Sequence, residues 1–163
     1  MEQEPREKKT YSRQASKIKA EAFCAYQERA QQEVRDKLYE YGLHMEDVEQ
    51  IISELIVDNF LNEERFANAY TLGKFRIKGW GKLKIKQGLK FKRVPDKLIK
   101  TALQQIPDQD YTERLDKTIA NKLPNAERLK VLTEKAKLIR FLQSRGFENE
   151  LIFERVQHYL LQA

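Results

Sequence analysis

A dense group of cationic side chains without neighbouring acids is the feature of this sequence with the clearest chemical meaning. The run KFRIKGWGKLKIKQGLKFKR, residues 74–93, contains nine Lys or Arg and no Asp or Glu, and it holds the only Trp of the chain between two glycines. Ammonium and guanidinium groups at this density bind phosphates or carboxylates. The segment therefore indicates a surface for DNA or for an acidic protein partner, with a solvated helix face as the plain alternative.

The spacing of the lysines indicates how the segment is arranged. Lys82, Lys86 and Lys90 are four residues apart, and on a helix such residues share one stripe because each step turns only about 40° beyond a full turn. Ile85 and Leu89 occupy the neighbouring stripe and are predicted to face the core. Uncompensated like charges at this spacing repel one another, which favours a bound partner. The candidate binding residues are Lys74, Arg76, Lys78, Trp80, Lys82, Lys86, Lys90 and Arg93.

An acidic block precedes the basic run. Residues 40–64 contain eight Asp or Glu and no Lys or Arg, whereas residues 65–93 contain ten Lys or Arg and no acid. A protein that only coats DNA has little use for an acidic block, so these residues predict a second contact surface, for a basic partner. Its candidate members are Glu46, Asp47, Glu49 and Glu54.

Composition and missing motifs argue against an enzyme. The chain has 163 residues, a net charge of +6 and 34% charged residues, which is typical of exposed amphipathic helices. Neither the single Cys24 nor His44 or His158 stands in a triad or metal-ligand pattern. We therefore expect no catalytic residue, metal, cofactor or small-molecule substrate. No apolar run approaches the roughly 20 residues that span a bilayer and the N-terminus is polar, so we expect a cytoplasmic protein that does not enter a membrane.

The apolar pattern has a helical period and occurs three times. Aligning Gly42 with Gly146 pairs apolar residues on both sides, and Leu38, Leu89 and Leu142 are 51 and 53 residues apart. This predicts an all-α fold of three tandem three-helix repeats, about nine helices, in an elongated, curved arrangement. The predicted boundaries are a flexible N-terminal arm at 1–16, repeat 1 at 17–60, repeat 2 at 61–107 and repeat 3 at 108–163.

Local signals predict where the helices begin and end. Asn62 is expected to cap one helix and Asn125 another, the segment DYTE at 110–113 resembles a capping box, and Gly42 and Gly146 are expected to end helices in the left-handed conformation. The expected helices cover 17–29, 31–41 and 45–59, then 63–77, 82–93 and 96–105, then 110–121, 126–144 and 149–161.

The centre of the chain resembles the RecX family of bacterial proteins, which modulate the RecA recombinase. The resemblance lies in FLNEERFA at Phe60–Ala67, KGWG at Lys78–Gly81, and Ile85, Gln87 and Leu89, with weaker likeness in the flanking repeats. It implies a nine-helix fold that binds in the groove of RecA filaments on DNA, bridges protomers, and inhibits recombinase and ATPase activities in recombination and DNA repair. The implied partners are RecA and its nucleoprotein filament, with a weak direct contact to DNA as a further expectation.

Three positions depart from the family pattern. Lys82 stands where Pro is common, Gly88 where a helix former is common, and Arg93 where a glycine usually ends the helix. Gly88 is expected to cost about 1 kcal/mol of helix propensity. These changes predict altered local helix geometry in the middle repeat.

Two other classes of protein remain open at this point. A helical DNA-binding protein would use the basic segment directly on nucleic acid and would show steep salt dependence on naked DNA. Lysines dominate the segment and base-reading side chains are few, so such binding would rest on phosphates. A purely structural helical scaffold would tolerate charge reversal without effect.

Overall fold

The computed structural model describes residues 8–123 and 125–162. Across this part of the chain it contains nine α-helices and no strand, which confirms the predicted all-α fold of three-helix repeats. The helices are α1 (Arg13–Tyr26), α2 (Gln31–Glu40), α3 (Met45–Val57), α4 (Glu63–Gly73), α5 (Lys82–Phe91), α6 (Asp96–Gln104), α7 (Asp108–Lys122), α8 (Leu132–Ser144) and α9 (Asn149–Leu161). A π-helical turn, Lys74–Lys78, follows α4, and a 3-10 helix, Ala126–Lys130, precedes α8. No helix in the described ranges is long and apolar enough to cross a membrane.

The chain divides into two compact units, Met1–Phe66 and Ala67–Ala163. The core of the first unit is formed where the apolar stripes of α1, α2 and α3 meet, because residues three and four apart lie on one helix face. Small side chains on α1 let the other two helices approach closely. The buried core residues are Ala20, Cys24, Val34, Leu38, Val48, Ile51, Ile52, Leu55 and Leu61.

Helix α1 begins inside the segment that was predicted to be a flexible arm. The Ser12 hydroxyl oxygen accepts a hydrogen bond from the Ala15 amide at 3.2 Å, and Ser16 is fully buried. The Tyr11 amide donates to the Tyr41 carbonyl at 3.0 Å. The prediction that the arm extends to residue 16 is wrong, because a helix cap, the backbone hydrogen bond to Tyr41 and the ion pair of Arg13 with Glu54 order a segment that has few aliphatic side chains. Residues 1–7 of that prediction lie outside the described residues.

The second unit buries the apolar stripes of its helices in the same way. Ile85 and Leu89 are fully buried, which confirms that their stripe of α5 faces the core. The large buried side chains that α6 to α9 contribute include Ile99, Leu115, Ile119, Leu142 and Ile152.

The predicted caps are confirmed at some helix ends and wrong at others. The Asn62 side-chain oxygen accepts a hydrogen bond from the Arg65 amide at 2.9 Å, as expected for an N-cap of α4. DYTE at 110–113 is not a capping box, because α7 already begins at Asp108, after Pro107. Asn125 does cap, with its side-chain oxygen 2.9 Å from the Glu127 amide, but it caps the 3-10 helix and α8 begins only at Leu132.

The departures from the family pattern at Arg93 and Gly88 each have a visible structural reason. Gly42 and Gly146 adopt φ of +89° and +94°, which confirms the predicted left-handed ends, and Arg93 adopts the same conformation with φ of +58°. Arg93 therefore does what a glycine would do there, at a conformational cost. A Cβ atom at Gly88 would overlap the hydroxyl oxygen of Tyr70, so this glycine leaves room for the tyrosine to lie against α5.

Candidate functional site

The segment that joins α4 to α5, residues 74–84, is here called the basic turn. Its first part is the π-helical turn, which ends at Gly79 with φ of +67°. The Gly79 amide donates to the Phe75 carbonyl and the Trp80 amide to the Lys74 carbonyl, each at 3.1 Å. The break expected between the helices at 63–77 and 82–93 is confirmed, and the π-helical geometry that precedes it was not predicted.

The turn between α8 and α9 holds the start of α5 in place. The Gly81 amide donates to the Arg145 carbonyl at 2.7 Å, and the Leu83 amide donates to the Gly146 carbonyl at 3.0 Å. The Arg145 guanidinium donates to the Lys78 carbonyl. The first amides of a helix have no acceptor within it, and here two carbonyl groups of the third repeat accept hydrogen bonds from two of these amides. A Cβ atom at Gly81 would lie 2.5 Å from the Phe147 amide nitrogen and closer to the Gly146 carbonyl, so only glycine permits this approach.

Tyr111 adds a side-chain link between the same elements. Its hydroxyl donates to the Glu148 carboxylate at 2.6 Å and accepts from the Lys82 amide at 3.0 Å. Its ring centroid is 6.0 Å from that of Phe75 and 5.4 Å from that of Phe147. Burial, together with the bond to Glu148, raises the pKa of Tyr111, so the hydroxyl stays protonated and able to donate. The link explains why lysine suits position 82, since proline would lack the amide that Tyr111 accepts from.

Trp80 is half-buried and lies between two ammonium groups. The Nζ atoms of Lys74 and Lys84 lie 4.8 and 4.5 Å from its ring centroid, within the range of cation–π attraction. Lys84 was not among the predicted site residues, because it lies off the stripe of Lys82, Lys86 and Lys90. Lys84 belongs to the site because its ammonium group lies against the Trp80 ring.

The predicted cations are not all displayed in the same way. Lys82 turns toward the third repeat, with its Nζ atom 4.7 Å from the Tyr111 ring centroid, while Lys86 and Lys90 are exposed, so the expected stripe is divided. Arg76, Lys78 and Arg93 are exposed as well. In the described part of the chain, none of these groups forms an ion pair: Lys74, Arg76, Lys78, Lys82, Lys86, Lys90 and Arg93. Their charge is not neutralised within the fold.

Apolar side chains are exposed within and just beyond the basic turn. Ile77 is 79% exposed, Leu83 48% and Phe91 87%. The surface of residues 74–93 thus combines unpaired cations, exposed apolar groups and a partly covered indole. The sequence analysis identified the cations and Trp80 of this segment, but not its exposed apolar side chains.

The acidic candidates of α3 lie on helix surfaces, but most of them are already paired. Glu54 lies 2.8 Å from Arg13 and 3.1 Å from Lys17, measured between carboxylate and cationic nitrogen, and Glu49 lies 2.6 Å from Arg35. Hydrogen bonds from these cations hold the pKa values of both glutamates below their usual range.

The other two acidic candidates differ from each other. Asp47 lies 3.7 Å from Arg13, whereas Glu46 is exposed and, among the residues that the structure covers, takes part in no ion pair. The acidic excess of residues 40–64 is therefore largely offset by cations of α1 and α2. A basic partner at this surface stays a prediction, and such a partner would have to compete with those internal ion pairs.

A second cationic feature lies beside the basic turn and was missed. A cavity of about 300 Å³ is lined by Gly79, Arg114, Lys117, Thr118, Asn121, Lys122, Phe141 and Arg145, and is here called the basic cavity. Counting charge runs could not detect it, because its cations alternate along α7 with acidic residues and the remaining arginine, Arg145, follows α8.

The described residues contain neither a metal-binding group nor an accessible cysteine. His, Cys, Asp and Glu side chains form no group of three or more that could hold a metal there. Cys24 is buried, and burial raises the pKa of its thiol to about 11, which is unsuited to a nucleophile.

Comparison with known proteins gives consistent results along the chain. Residues 62–103 match a domain family described as the second three-helix domain of RecX, and residues 108–154 match the third. The crystal structure of RecX from Lactobacillus salivarius superposes with a TM-score of 0.78 at 24% identity, covering 91% of this chain and 97% of that one.

The curated relatives differ in length. The regulatory protein RecX of Bacillus cereus (strain B4264) is 27% identical over 139 residues, which are 85% of this chain and 52% of the relative, so the chain spans about half the length of such relatives. The regulatory protein RecX of Vibrio vulnificus (strain CMCP6) is 34% identical over 130 residues, 80% of each chain. On this similarity, and with the matching three-helix domains, the chain belongs to the RecX family of regulatory proteins.

Proposed function

We propose that this protein binds RecA and RecA filaments on DNA, mainly inhibits their recombinase and ATPase activities, and thereby regulates recombination and DNA repair in the cytoplasm. Membership of the RecX family supports a regulatory role. The single observation that carries the proposal further is that the segment of residues 74–93 exposes both cations without an ion pair and large apolar side chains.

The mixture of groups on this surface favours a protein partner. Protein interfaces have aromatic and apolar centres with a polar rim, whereas a phosphate-coating surface needs cations and hydrogen-bond donors. Ile77 and Phe91 are 79% and 87% exposed, in the same segment as the exposed Lys78, Lys86 and Lys90. An acidic patch of RecA that has apolar residues at its centre would match this surface.

The basic turn is held in one geometry before any partner binds. Backbone hydrogen bonds from Gly81 and Leu83 to the turn between α8 and α9, together with the Tyr111 link to Lys82, define its position. A partner therefore does not have to order it, and less of the interaction free energy is lost on binding. In our proposal the three-repeat body lies in the filament groove, bridges adjacent protomers and resists the rearrangements that accompany hydrolysis and strand exchange.

ATP hydrolysis by preformed RecA filaments on single-stranded DNA tests the proposal. Wild-type protein, titrated from well below one molecule per protomer, should inhibit hydrolysis. The double variant Lys86→Glu and Lys90→Glu should need at least about tenfold more protein for half-inhibition, since two exposed charge reversals that each change binding by about 0.7 kcal/mol together give a factor of about ten. Lys82 is left unchanged because it covers the Tyr111 ring.

A matched control separates the site from net charge. Lys97 and Lys100 are exposed on α6, and their replacement by Glu changes the net charge by the same amount. This control should inhibit like the wild type. Equal inhibition by both double variants would show that the basic surface is not part of the interface with RecA. A wild-type protein that does not inhibit hydrolysis would overturn the proposed function.

Direct action on DNA through the basic segment is the second candidate, and the exposed, unpaired Lys86 and Lys90 favour it. Phosphate binding releases counterions, so it weakens steeply as salt rises. Inhibition of RecA that persists at a salt concentration where bare DNA is no longer bound supports the filament regulator. Inhibition that disappears together with DNA binding supports the alternative.

A further inference from the structure

We propose that the basic cavity binds neighbouring phosphates of the single-stranded DNA backbone. The biological setting of this site rests on the proposed function, because a RecA filament carries DNA at its centre. The binding itself does not, since bare DNA tests it without RecA. The cavity shares no predicted site residue with the basic turn, and among its lining residues only Gly79 belongs to that turn.

The cavity is built mainly by one face of α7. Arg114, Lys117, Thr118, Asn121 and Lys122 follow the three- and four-residue spacing that places side chains on a single helix stripe. The end of α8 closes the other side with Phe141 and Arg145. No carboxylate lines the cavity, although α7 as a whole is rich in Asp and Glu.

The cations of α7 line the cavity, whereas Asp116 lies on the face toward α9. On the face toward α9, Asp116 forms a two-point ion pair with Arg155, with nitrogen–oxygen distances of 2.7 and 2.6 Å. On the cavity face, the four cations Arg114, Lys117, Lys122 and Arg145 form no ion pair with any carboxylate that the structure describes. Asp110 and Glu113 line an adjoining cavity together with Arg114 and Lys117, but no ion pair within 4.0 Å joins them. Four like charges around one cavity repel one another, and a bound anion relieves this repulsion.

The two arginines of the cavity are positioned by the basic turn. The Arg114 guanidinium packs so closely on Gly79 that a Cβ atom there would lie 2.8 Å from its Nη2 atom. The Arg145 guanidinium donates to the Lys78 carbonyl. Lys122 holds its ammonium 4.4 Å from the Phe141 ring centroid. Cations that are already oriented lose little side-chain freedom when an anion binds.

The lining favours a nucleic-acid phosphate over an acidic polypeptide. Arg, Lys and Asn side chains donate the usual hydrogen bonds to phosphate, and this cavity has all three types, whereas the Thr118 hydroxyl donates to the Arg114 carbonyl at 2.7 Å. Phe141 adds an aromatic ring of the kind on which bases of single strands stack. An acidic polypeptide would use the cations but has no base to stack on the ring.

Binding of a fluorescein-labelled 20-residue oligothymidylate, measured by anisotropy without RecA, tests the site. The variant is Lys117→Gln with Lys122→Gln, because both side chains are exposed and glutamine preserves the helix. For single strands each phosphate contact contributes about 0.7 to the salt slope, so loss of two should weaken binding about 25-fold at about 0.1 M salt and lower the slope by about 1.4. The control, Lys97→Gln with Lys100→Gln on α6, loses the same charge and should bind within about threefold of the wild type.

Each outcome decides for or against the cavity. Failure of the wild type to bind the oligonucleotide, or equal binding by the two double variants, overturns the proposal. Competition by polyglutamate as effective as that by unlabelled oligothymidylate would identify an acidic polypeptide as the ligand and also overturn it. If the wild type inhibits RecA hydrolysis while these DNA results fail, the proposed function stands without the cavity. Circular dichroism and Trp80 fluorescence check that each variant is folded.

Discussion

The contact between the start of α5 and the turn between α8 and α9 predicts a large effect from a small substitution, Gly81→Ala. The backbone of Gly81 has φ of −76° and ψ of 167°, which alanine adopts without strain. What alanine lacks is space, because its methyl group would lie 2.5 Å from the Phe147 amide nitrogen and closer to the Gly146 carbonyl. Those atoms belong to the backbone and cannot rotate away.

The magnitude follows from three contributions. Overpacking against a fixed neighbour costs about 1–3 kcal/mol. Separation of the two segments also weakens the hydrogen bonds Gly81 to Arg145, at 2.7 Å, and Leu83 to Gly146, at 3.0 Å, each worth about 1 kcal/mol. The lower entropy of an unfolded alanine recovers about 0.4–1 kcal/mol. We expect the free energy of unfolding to fall by about 2–4 kcal/mol.

Urea unfolding followed by circular dichroism and by fluorescence measures this effect. Trp80 is the only tryptophan and adjoins the substituted residue, so its emission reports the local packing. Gly73→Ala is the matched control, because the new methyl group has nothing within 4 Å and the residue is helical, and it should stabilise by about 0.5–1 kcal/mol. If Gly81→Ala is as stable as Gly73→Ala, the close approach of the two segments does not exist in solution.

Two further predictions concern single positions outside that contact. Arg93→Gly should stabilise the protein by about 0.5–1 kcal/mol in urea unfolding. A φ of +58° is costly for a residue with a side chain, and relief of this strain outweighs the greater entropy of glycine in the unfolded chain. A variant less stable than Arg93→Ala would contradict this explanation. Cys24 should react with a disulfide reagent at pH 8 at least about 100-fold more slowly in native protein than in urea, because burial raises the pKa of its thiol to about 11. Equal rates in the two conditions would show that the first unit opens readily.

The local features of this fold were predictable because they depend on neighbouring residues. Gly42 and Gly146 end helices in the left-handed conformation that their spacing relative to the apolar stripes indicates. Ile85 and Leu89 are buried because their period assigns them to one helix face, and Asn62 caps α4 through a bond to a residue three positions on. Such relations can be read from a window of ten residues.

The N-terminal boundary failed for the opposite reason. Arg13 and Lys17 pair with Glu54, which follows them by 41 and 37 residues, and Tyr11 contacts Tyr41. Composition identifies a segment that lacks aliphatic side chains, but it does not register charge pairs between helices. The same pairs neutralise acidic residues that appear unopposed along the sequence.

By itself the sequence determined the helical class, the threefold repeat, the family and the position of the basic segment, because periodicity and charge are properties of the chain order. Only the tertiary structure decided that the turn of one repeat rests on the backbone of the next, where Gly81 meets Arg145 and Gly146. It also decided that Lys84 lies against Trp80 and that the cations of α7 gather on one side. These outcomes depend on the packing of residues distant in sequence, and packing determines which charges are paired within the fold and which remain available to a partner.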